Sequence, residues 1–418
     1  MSMSMNGKKF VENFTYALEH DFTSPSGVPA AWAPGHPKRW DQERAKIRLD
    51  GAATTPTLSP DDRFVAVGVD EEVHVFDVAT KERLEVLAVG ELIETVKFAP
   101  DFVKNEDGES TCYVLASQAG EDGNPMVILW ELDQKGKLAA MTSHEQEHRL
   151  CFEGELGSFS PDGKMMVFFS QNETTQEDTQ EAASLPCVNL WDIETRSFRH
   201  KLLGHTDRVM WAAMAPDNKL VASVAWDGTA RVWDASSGSC LYVLGPFGGQ
   251  LWSGAFSPDQ KYLAIIQGNP KSYVHVYDIA TEQPVSCFDG FHLPPRSISW
   301  SHDGAMLAGG ANEGKLCIWD PYTGEERMRW CLAFDNPLMR RFATTRAVQF
   351  IEGGRKLVFQ LREGTVELYD FESNLKQQFT REVGDRIDRC PVSEMVCSRD
   401  SKFIVVPDVD GYLRIWDL

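Results

Sequence analysis

Eight times along this chain an aromatic residue followed by an acidic one closes a short apolar stretch. The pairs are Phe76-Asp77, Trp130-Glu131, Trp191-Asp192, Trp233-Asp234, Tyr277-Asp278, Trp319-Asp320, Tyr369-Asp370 and Trp416-Asp417. Their acidic members stand 54, 61, 42, 44, 42, 50 and 47 residues apart. A second landmark lies upstream in phase with the first: Ser59-Pro60-Asp61-Asp62, Ala99-Pro100-Asp101, Ser160-Pro161-Asp162-Gly163, Ala215-Pro216-Asp217-Asn218, Ser257-Pro258-Asp259-Gln260 and Ser301-His302-Asp303-Gly304. Proline presets φ for such a turn, and the aspartate bonds the backbone two residues on. Between the landmarks run short alternating stretches such as Phe64–Val67 and Val73–Phe76, which read as strands. A period in the forties, built of short strands and polar turns, describes a four-stranded propeller blade.

The most regular unit, Gly204 to Asp234, carries a Gly-His pair, three strands, an Asp-Gly turn and a terminal Trp-Asp. With these residues the chain resembles the WD-repeat family of β-propellers over about residues 44–418. The resemblance implies an all-β propeller whose blades each have four antiparallel strands; the eight copies of the landmark count eight blades, with seven as the alternative because seven is commoner in the family. It also implies a structural tetrad of His205, Ser223, Asp227 and Trp233. His205, Ser223 and Asp227 could be mistaken for a nucleophilic triad. The tetrad reading has the carboxylate orient the imidazole, which bonds a hydroxyl that accepts from the indole N–H. Elsewhere Asn312-Glu313-Gly314 and Arg362-Glu363-Gly364 stand where Asp-Gly would, so those blades should lean on apolar packing.

The last unit stops at Leu418 after its third strand, which leaves an edge that proteins avoid exposing. Residues 44–50 read as a spare strand and are expected to close the ring onto that blade. Residues 1–43 form an N-terminal extension. A short amphipathic helix is expected over Lys8 to Asp21, with Phe10, Val11, Phe14, Ala17 and Leu18 on one face, followed by a Pro/Gly-rich linker from Phe22 to Pro37. Two long insertions stand out. Asn172 to Pro186 is acidic and aperiodic, and Phe334 to Thr345 carries Arg340 and Arg341 among apolar residues.

Lys plus Arg number 41 and Asp plus Glu 62, a net charge of −21. That disfavours nucleic acid and anionic membrane as partners. No apolar run reaches membrane-spanning length, and Met1 to His20 has no signal-type apolar core. Nine cysteines, an odd number without C-x-x-C spacing, read as free thiols in a reducing compartment, hence an intracellular protein, cytoplasmic or nuclear. His144 and His148 form an i, i+4 pair too isolated to define a metal site. Asp408 and Asp410-Gly411 lack the downstream Glu of a calcium loop. No zinc, Walker or nucleophile-elbow motif occurs, so no catalytic residue, metal or cofactor is assigned.

Function is then sought on a face of the disc. The residue four before each turn reads Thr54, Glu94, Glu155, Met210, Trp252, Arg296, Arg346 and Ser393 around the ring. The circle is acidic, then apolar, then basic. Arg208, Trp211 and Trp226 add to the blade 4 side and Arg340 and Arg341 to the basic side, and the partner-binding arc is Trp211, Trp226, Trp252, Arg296, Arg340, Arg341 and Arg346, a composition typical of binding hot spots. The expectation is a non-catalytic interaction scaffold in a multiprotein complex. It would bind a protein or peptide at the channel mouth, with acidic or phosphorylated character to suit the arginines. The alternative is an enzyme or small-ligand binder using the central channel, for which Glu94, Glu155, Arg296 and Arg346 are the candidate groups.

Overall fold

The turns explain why each repeat folds as one sheet. In five repeats a serine hydroxyl bonds the turn aspartate and accepts from the first N–H of the next strand. Ser59 Oγ to Asp61 Oδ1 is 2.7 Å and Phe64 N to Ser59 Oγ is 2.9 Å, and Ser160, Ser257, Ser301 and Ser398 repeat the pattern. The following residue takes a left-handed φ, as Asp62, Asn218, Gln260 and Ser401 do, and as Gly163 and Gly304 do at no steric cost. The aromatic-acidic pair has an equally local cause. Its aromatic is core, with Trp233, Trp319 and Trp416 at most 1% exposed. Its aspartate caps the next turn, accepting from the N–H groups of Ala79 and Thr80 at Asp77 and of Ser236 and Ser237 at Asp234.

A computed structural model describes residues 12–13, 17–20, 22–24 and 26–418, apart from 52, 105–109, 120–124, 140–148, 174–184, 313, 334–344, 362–363, 381–385, 388–392 and 409–410. It is an eight-bladed propeller whose blades, numbered in chain order, span residues 57–88, 93–153, 155–203, 209–244, 251–288, 295–333, 345–380 and 396–417. Strands a to d run from the innermost outward and pair antiparallel; blade 4, for example, is Val209–Met214, Leu220–Ala225, Ala230–Asp234 and Cys240–Leu244. The apolar core lies in clusters between successive blades, such as Val224, Val232 and Leu244 of blade 4 packed with Leu251, Leu263 and Ile265 of blade 5.

Blade 8 takes its fourth strand from the other end of the chain. Ala45–Arg48 pairs antiparallel with Tyr412–Ile415, Arg48 opposite Tyr412 and Ala45 opposite Ile415. Ala45, Ile47 and Leu49 are buried on the seam, Ile47 and Leu49 each worth about 1.5–3 kcal/mol. Beside them Arg414, only 4% exposed in its side chain, lies 3.1 Å from Asp408 Oδ2 and 3.6 Å from Glu43 Oε1, with its guanidinium 4.1 Å from the Trp40 ring. Asp408, in the stretch with a partial calcium-loop pattern, is thus committed to an arginine.

The helix expected over Lys8 to Asp21 is not what its described residues form. Glu12–Asn13 pairs with Arg386–Ile387, and Ala17–His20 adds a fifth strand to blade 6 against Cys331–Ala333. An exposed sheet edge offers a full row of backbone partners, which outweighs a weak helical preference. Nor is Phe22 to Pro37 a free linker. Phe22 is 1% exposed and stacks on Tyr369 at 4.7 Å, with Phe359 and Trp330 around it. Ala31–Trp32 and Lys38–Arg39 then run parallel to the d strand of blade 7. The described residues of 17–43 are therefore a strap along the rim of blades 6 and 7 that feeds the closing strand. Most of the Asn172 to Pro186 insertion, most of the Phe334 to Thr345 connection, and His144 and His148 lie outside the described residues.

Candidate functional site

The circle of residues four before each turn coincides with a break in strand pairing. Glu94, Met210, Trp252 and Arg296 are each the unpaired residue at a register shift in their strand a. In blade 7 the shift takes in Arg346 and Ala347, while in blade 3 it leaves Gly157 unpaired instead of Glu155. A bulge re-aims its extra side chain out of the alternation of the strand. Glu94 and Arg296 are exposed on their bulges, while Met210 and Trp252 still pack on one side against the clusters between blades.

On blades 4 to 6 they build a continuous row. The Arg208 guanidinium stands 5.7 Å from the Trp226 ring centre, Trp226 lies 5.8 Å from Trp252 at 58°, and the Arg296 guanidinium is 5.4 Å from the Trp252 ring. Each end is tethered differently. Arg208 Nη2 donates to Glu155 Oε1 at 2.6 Å, and Gln171 Nε2 donates to the same oxygen at 3.2 Å. Glu155 is thereby spent on neutralising Arg208. Gln171 also exchanges bonds with the Val209 backbone, fixing blade 3 to blade 4. Arg296 is exposed, and its partner is a neutral amide. Asn312, oriented with its oxygen toward the guanidinium, accepts from Nε and Nη2 at 3.3 Å each. Asn312 stands where other blades have the aspartate of Asp-Gly, so the departure from the repeat serves this contact. Among the described residues no carboxylate pairs with Arg296.

Both indole N–H groups in the row, those of Trp226 and Trp252, are shielded from solvent and lack an acceptor among the described residues. Trp252 reaches this position because Gly268 lets it in; a Cβ there would collide with its Nε1 edge. Beside Trp226 opens a cleft of about 470 Å³ walled by Gly228, Pro246, Gly249, Asn269 and Pro270. The cleft combines an aromatic wall and prolines with the Asp227 carboxylate in its lining, and the aromatic–arginine row starts at its Trp226 wall.

The other sequence candidates fall elsewhere. Trp211 is half-buried between blades, against Gly254 and 6.5 Å from Phe256, and does not join the row. Arg340 and Arg341 lie outside the described residues, as does the side chain of Arg346. Glu94 is exposed on its bulge, while Glu155 is held by Arg208. The residues that sequence reasoning missed are Asn312 and Gln171. Each is a polar side chain reaching across strands or blades, which no local pattern signals.

His205, Ser223, Asp227 and Trp233 form one chain of hydrogen bonds inside blade 4. His205 Nδ1 is 2.9 Å from Asp227 Oδ2, His205 Nε2 is 2.8 Å from Ser223 Oγ, and Trp233 Nε1 donates to Ser223 Oγ at 2.9 Å. Burial pushes the Asp227 carboxyl up, but bonds from His205, Thr229 and the Thr206 N–H outweigh it and hold the group well below the usual carboxylate range. The hydroxyl is 0% exposed and the imidazole 1%, so no substrate reaches them. Blades 6 and 7 substitute aromatic stacking. Trp319 lies on Phe288 at 4.5 Å and 6°, and Tyr369 on Phe22 at 4.7 Å and 2°. Among the described residues no three His, Cys, Asp or Glu side chains gather to hold a metal. The eight described cysteines are free, and burial pushes the Cys317 and Cys397 thiols up to about 12, leaving them unreactive. No helix among the described residues is long and apolar enough to cross a membrane.

Comparison with known proteins agrees with this architecture. The family model described as WD domain, G-beta repeat, matches residues 196–234 and 282–320. Each match runs from the outer strand of one blade through the third strand of the next. The chain is similar to the small ribosomal subunit protein RACK1y of Oryza sativa subsp. japonica, at 32% identity over 139 residues, covering 32% of this chain and 40% of that protein. It is also similar to pre-mRNA-processing factor 19 of the same organism, at 26% over 220 residues, covering 52% of this chain and 40% of the relative. The matched segments thus span two-fifths of these relatives. Among solved structures, the computationally designed Ika8 protein superposes with a TM-score of 0.61 at 19% identity, over 89% of this chain and 99% of that one, a likeness of fold alone.

Proposed function

This chain belongs to the WD-repeat β-propellers, and from that premise we propose that it is a non-catalytic interaction scaffold that holds a partner protein on the face of blades 4 to 6. The observation that carries this reading is the Arg208–Trp226–Trp252–Arg296 row beside its cleft. Aromatic and arginine side chains dominate the energetics of protein interfaces. The partner is a peptide or domain with an aromatic or aliphatic anchor for the cleft and a carboxylate or phosphate for Arg296. Arg340, Arg341 and Arg346 follow Arg296 in the sequence and would extend the basic end. The names of the similar proteins, a ribosomal subunit protein and a pre-mRNA-processing factor, support work inside a macromolecular assembly and within the cell.

The test is affinity purification of the tagged chain from lysate of its source cells, with mass spectrometry, against a Trp252→Ala/Arg296→Glu variant of unchanged thermal midpoint. Partners that copurify with the wild type and are lost from the variant are the expected result. Partners retained by the variant would move the site off this face. No partner on either form would sink the scaffold reading and bring forward a ligand in the channel.

A further inference from the structure

The rim of the disc carries a second surface, independent of the face. Outer strands are a liability, since their unpaired N–H and C=O groups recruit other strands, and proteins blunt them with charge or proline. Seven of the eight outer strands here follow that rule. Arg83–Ala88, Arg149–Glu153, Ser197–Leu203, Glu326–Ala333, Leu375–Thr380 and Ala45–Arg48 all carry charge, and Pro284–Phe288 begins with proline. Cys240–Leu244 of blade 4, with the sequence CLYVL, has neither. It also exposes two of its apolar side chains, Leu241 at 42% and Val243 at 48%, with Leu203 of blade 3 exposed at 46%.

An arginine stands beside these side chains. Arg231, on strand c, is the cross-strand partner of Val243 and shares its side of the sheet. Its Nη1 lies 3.9 Å from Cys240 Sγ, a weak acceptor, its guanidinium is 5.9 Å from the Trp233 ring, and its Nε is buried without a partner. Among the described residues no carboxylate pairs with it. A half-buried guanidinium with no paired carboxylate offers an anion on an added strand a charge-assisted bond.

The same protein shows what such an edge accepts. In blade 7 the register places Glu367 opposite Gln378, the positions of Arg231 and Val243 in blade 4. There the strap covers the outer strand, with Ala31–Trp32 and Lys38–Arg39 running parallel to Leu375–Thr380. Trp32 also caps the edge lysine, with Lys376 Nζ 4.4 Å from its ring. Among the described residues no strap covers the equivalent edge of blade 4, which has a positive charge where blade 7 has a negative one.

We propose that the outer edge of blade 4 binds an extended segment of a partner protein as a fifth strand. Its alternate residues are aliphatic, to cover Leu241 and Val243, and it carries one aspartate or glutamate that pairs with Arg231. Main-chain bonds along Tyr242–Leu244 supply affinity, and the buried charge pair supplies register and selectivity.

The test uses random nine-residue peptides displayed on phage, panned against the purified chain, with Val243→Lys as counter-selection because a lysine there defends the edge. Enriched peptides that alternate apolar residues around one acid are expected. Synthetic copies measured by fluorescence anisotropy should bind Arg231→Glu about tenfold to a hundredfold more weakly, the worth of a charge-assisted bond. Changing the peptide acid to lysine should restore binding to that variant, and amide exchange at residues 241–244 should slow on binding. Trp252→Ala should bind these peptides normally, which separates this edge from the face. Enrichment without an acid, binding indifferent to Arg231→Glu, protection elsewhere or no enrichment would each overturn the proposal. So would a dimer in sedimentation that Val243→Lys dissolves, because the occupant would then be a second copy of this chain.

Discussion

Replacing Arg414 by methionine should loosen the ring at its seam and nowhere else. The closing strand is four residues long and covalently remote from the blade it completes. Arg414 sits under it with its side chain 4% exposed, between Asp408 and Glu43, whose side chains are 1% and 4% exposed. Both Glu43 carboxylate oxygens are buried without a hydrogen bond, so charge alone holds that group. Methionine keeps much of the apolar volume against Trp40 while stranding two buried carboxylates. Breaking a buried pair in this way costs about 3–5 kcal/mol. At about 1.4 kcal/mol per factor of ten, the closing strand should lose about a hundredfold to several-thousandfold of its amide protection. Native-state hydrogen exchange read by mass spectrometry on peptides covering residues 44–50 and 412–418 reports this directly, with peptides from blades 3 to 5 as internal controls. Adding Glu43→Gln and Asp408→Asn to Arg414→Met should recover most of the protection, because the stranded charges go with them. Wild-type exchange at the seam in Arg414→Met, or a loss spread evenly over all blades, would refute the claim that this cluster is a local latch.

Two further outcomes follow from the geometry. Phe22→Ala empties the slot between Trp330, Phe359 and Tyr369, a loss of about 3–5 kcal/mol for a buried phenylalanine; trypsin should then cut at Lys38 and Arg39 much faster while the ring stays intact, and an unchanged cutting rate would mean the strap is held elsewhere. Asp227 has its folded pKa below the ordinary 3.8, so the stability it contributes is fully present above that value and is lost as pH falls below it; Asp227→Asn should be less stable than wild type at pH 7, and the gap in thermal midpoint should shrink in acid, whereas a gap constant down to pH 2 would contradict the assignment.

The ring was legible because its causes are local. In six of the eight aromatic-acidic pairs the aspartate caps the turn that follows it, in five turns the serine and aspartate bond each other, and both leave fixed marks in the sequence. The closing strand was legible from the edge it had to cover. The strap was not. Its route depends on Phe22 finding an aromatic slot made by Trp330, Phe359 and Tyr369, more than 300 residues away in the chain. A helical apolar period at residues 8–21 says nothing about a rim that accepts strands. The face was half legible. Counting four residues back from each turn found Trp252 and Arg296, but the bulges that re-aim them require no particular residue type. The count itself gave Met210 on blade 4; Trp211, its neighbour, was added to the arc, although its place in the regular alternation of strand a turns it between blades.

The strap also decides which surfaces remain for partners. The chain's own residues 17–43 cover the rim of blades 6 and 7, and residues 45–48 complete blade 8. Blade 4 lies across the ring from that seam. It has the full hydrogen-bonded chain from Asp227 to Trp233, which ties its three inner strands together and makes it a stiff support. Both proposed surfaces rest on this blade: Arg208 and Trp226 on its face, and Arg231 and Val243 on its rim. The Asp227–Gly228 turn of this network also lines the cleft beside Trp226. A partner that ran from the cleft over the edge would meet the aromatic row first and the bare strand second. Two modest contacts on one rigid blade, joined by a short segment, would then bind far more tightly than either alone.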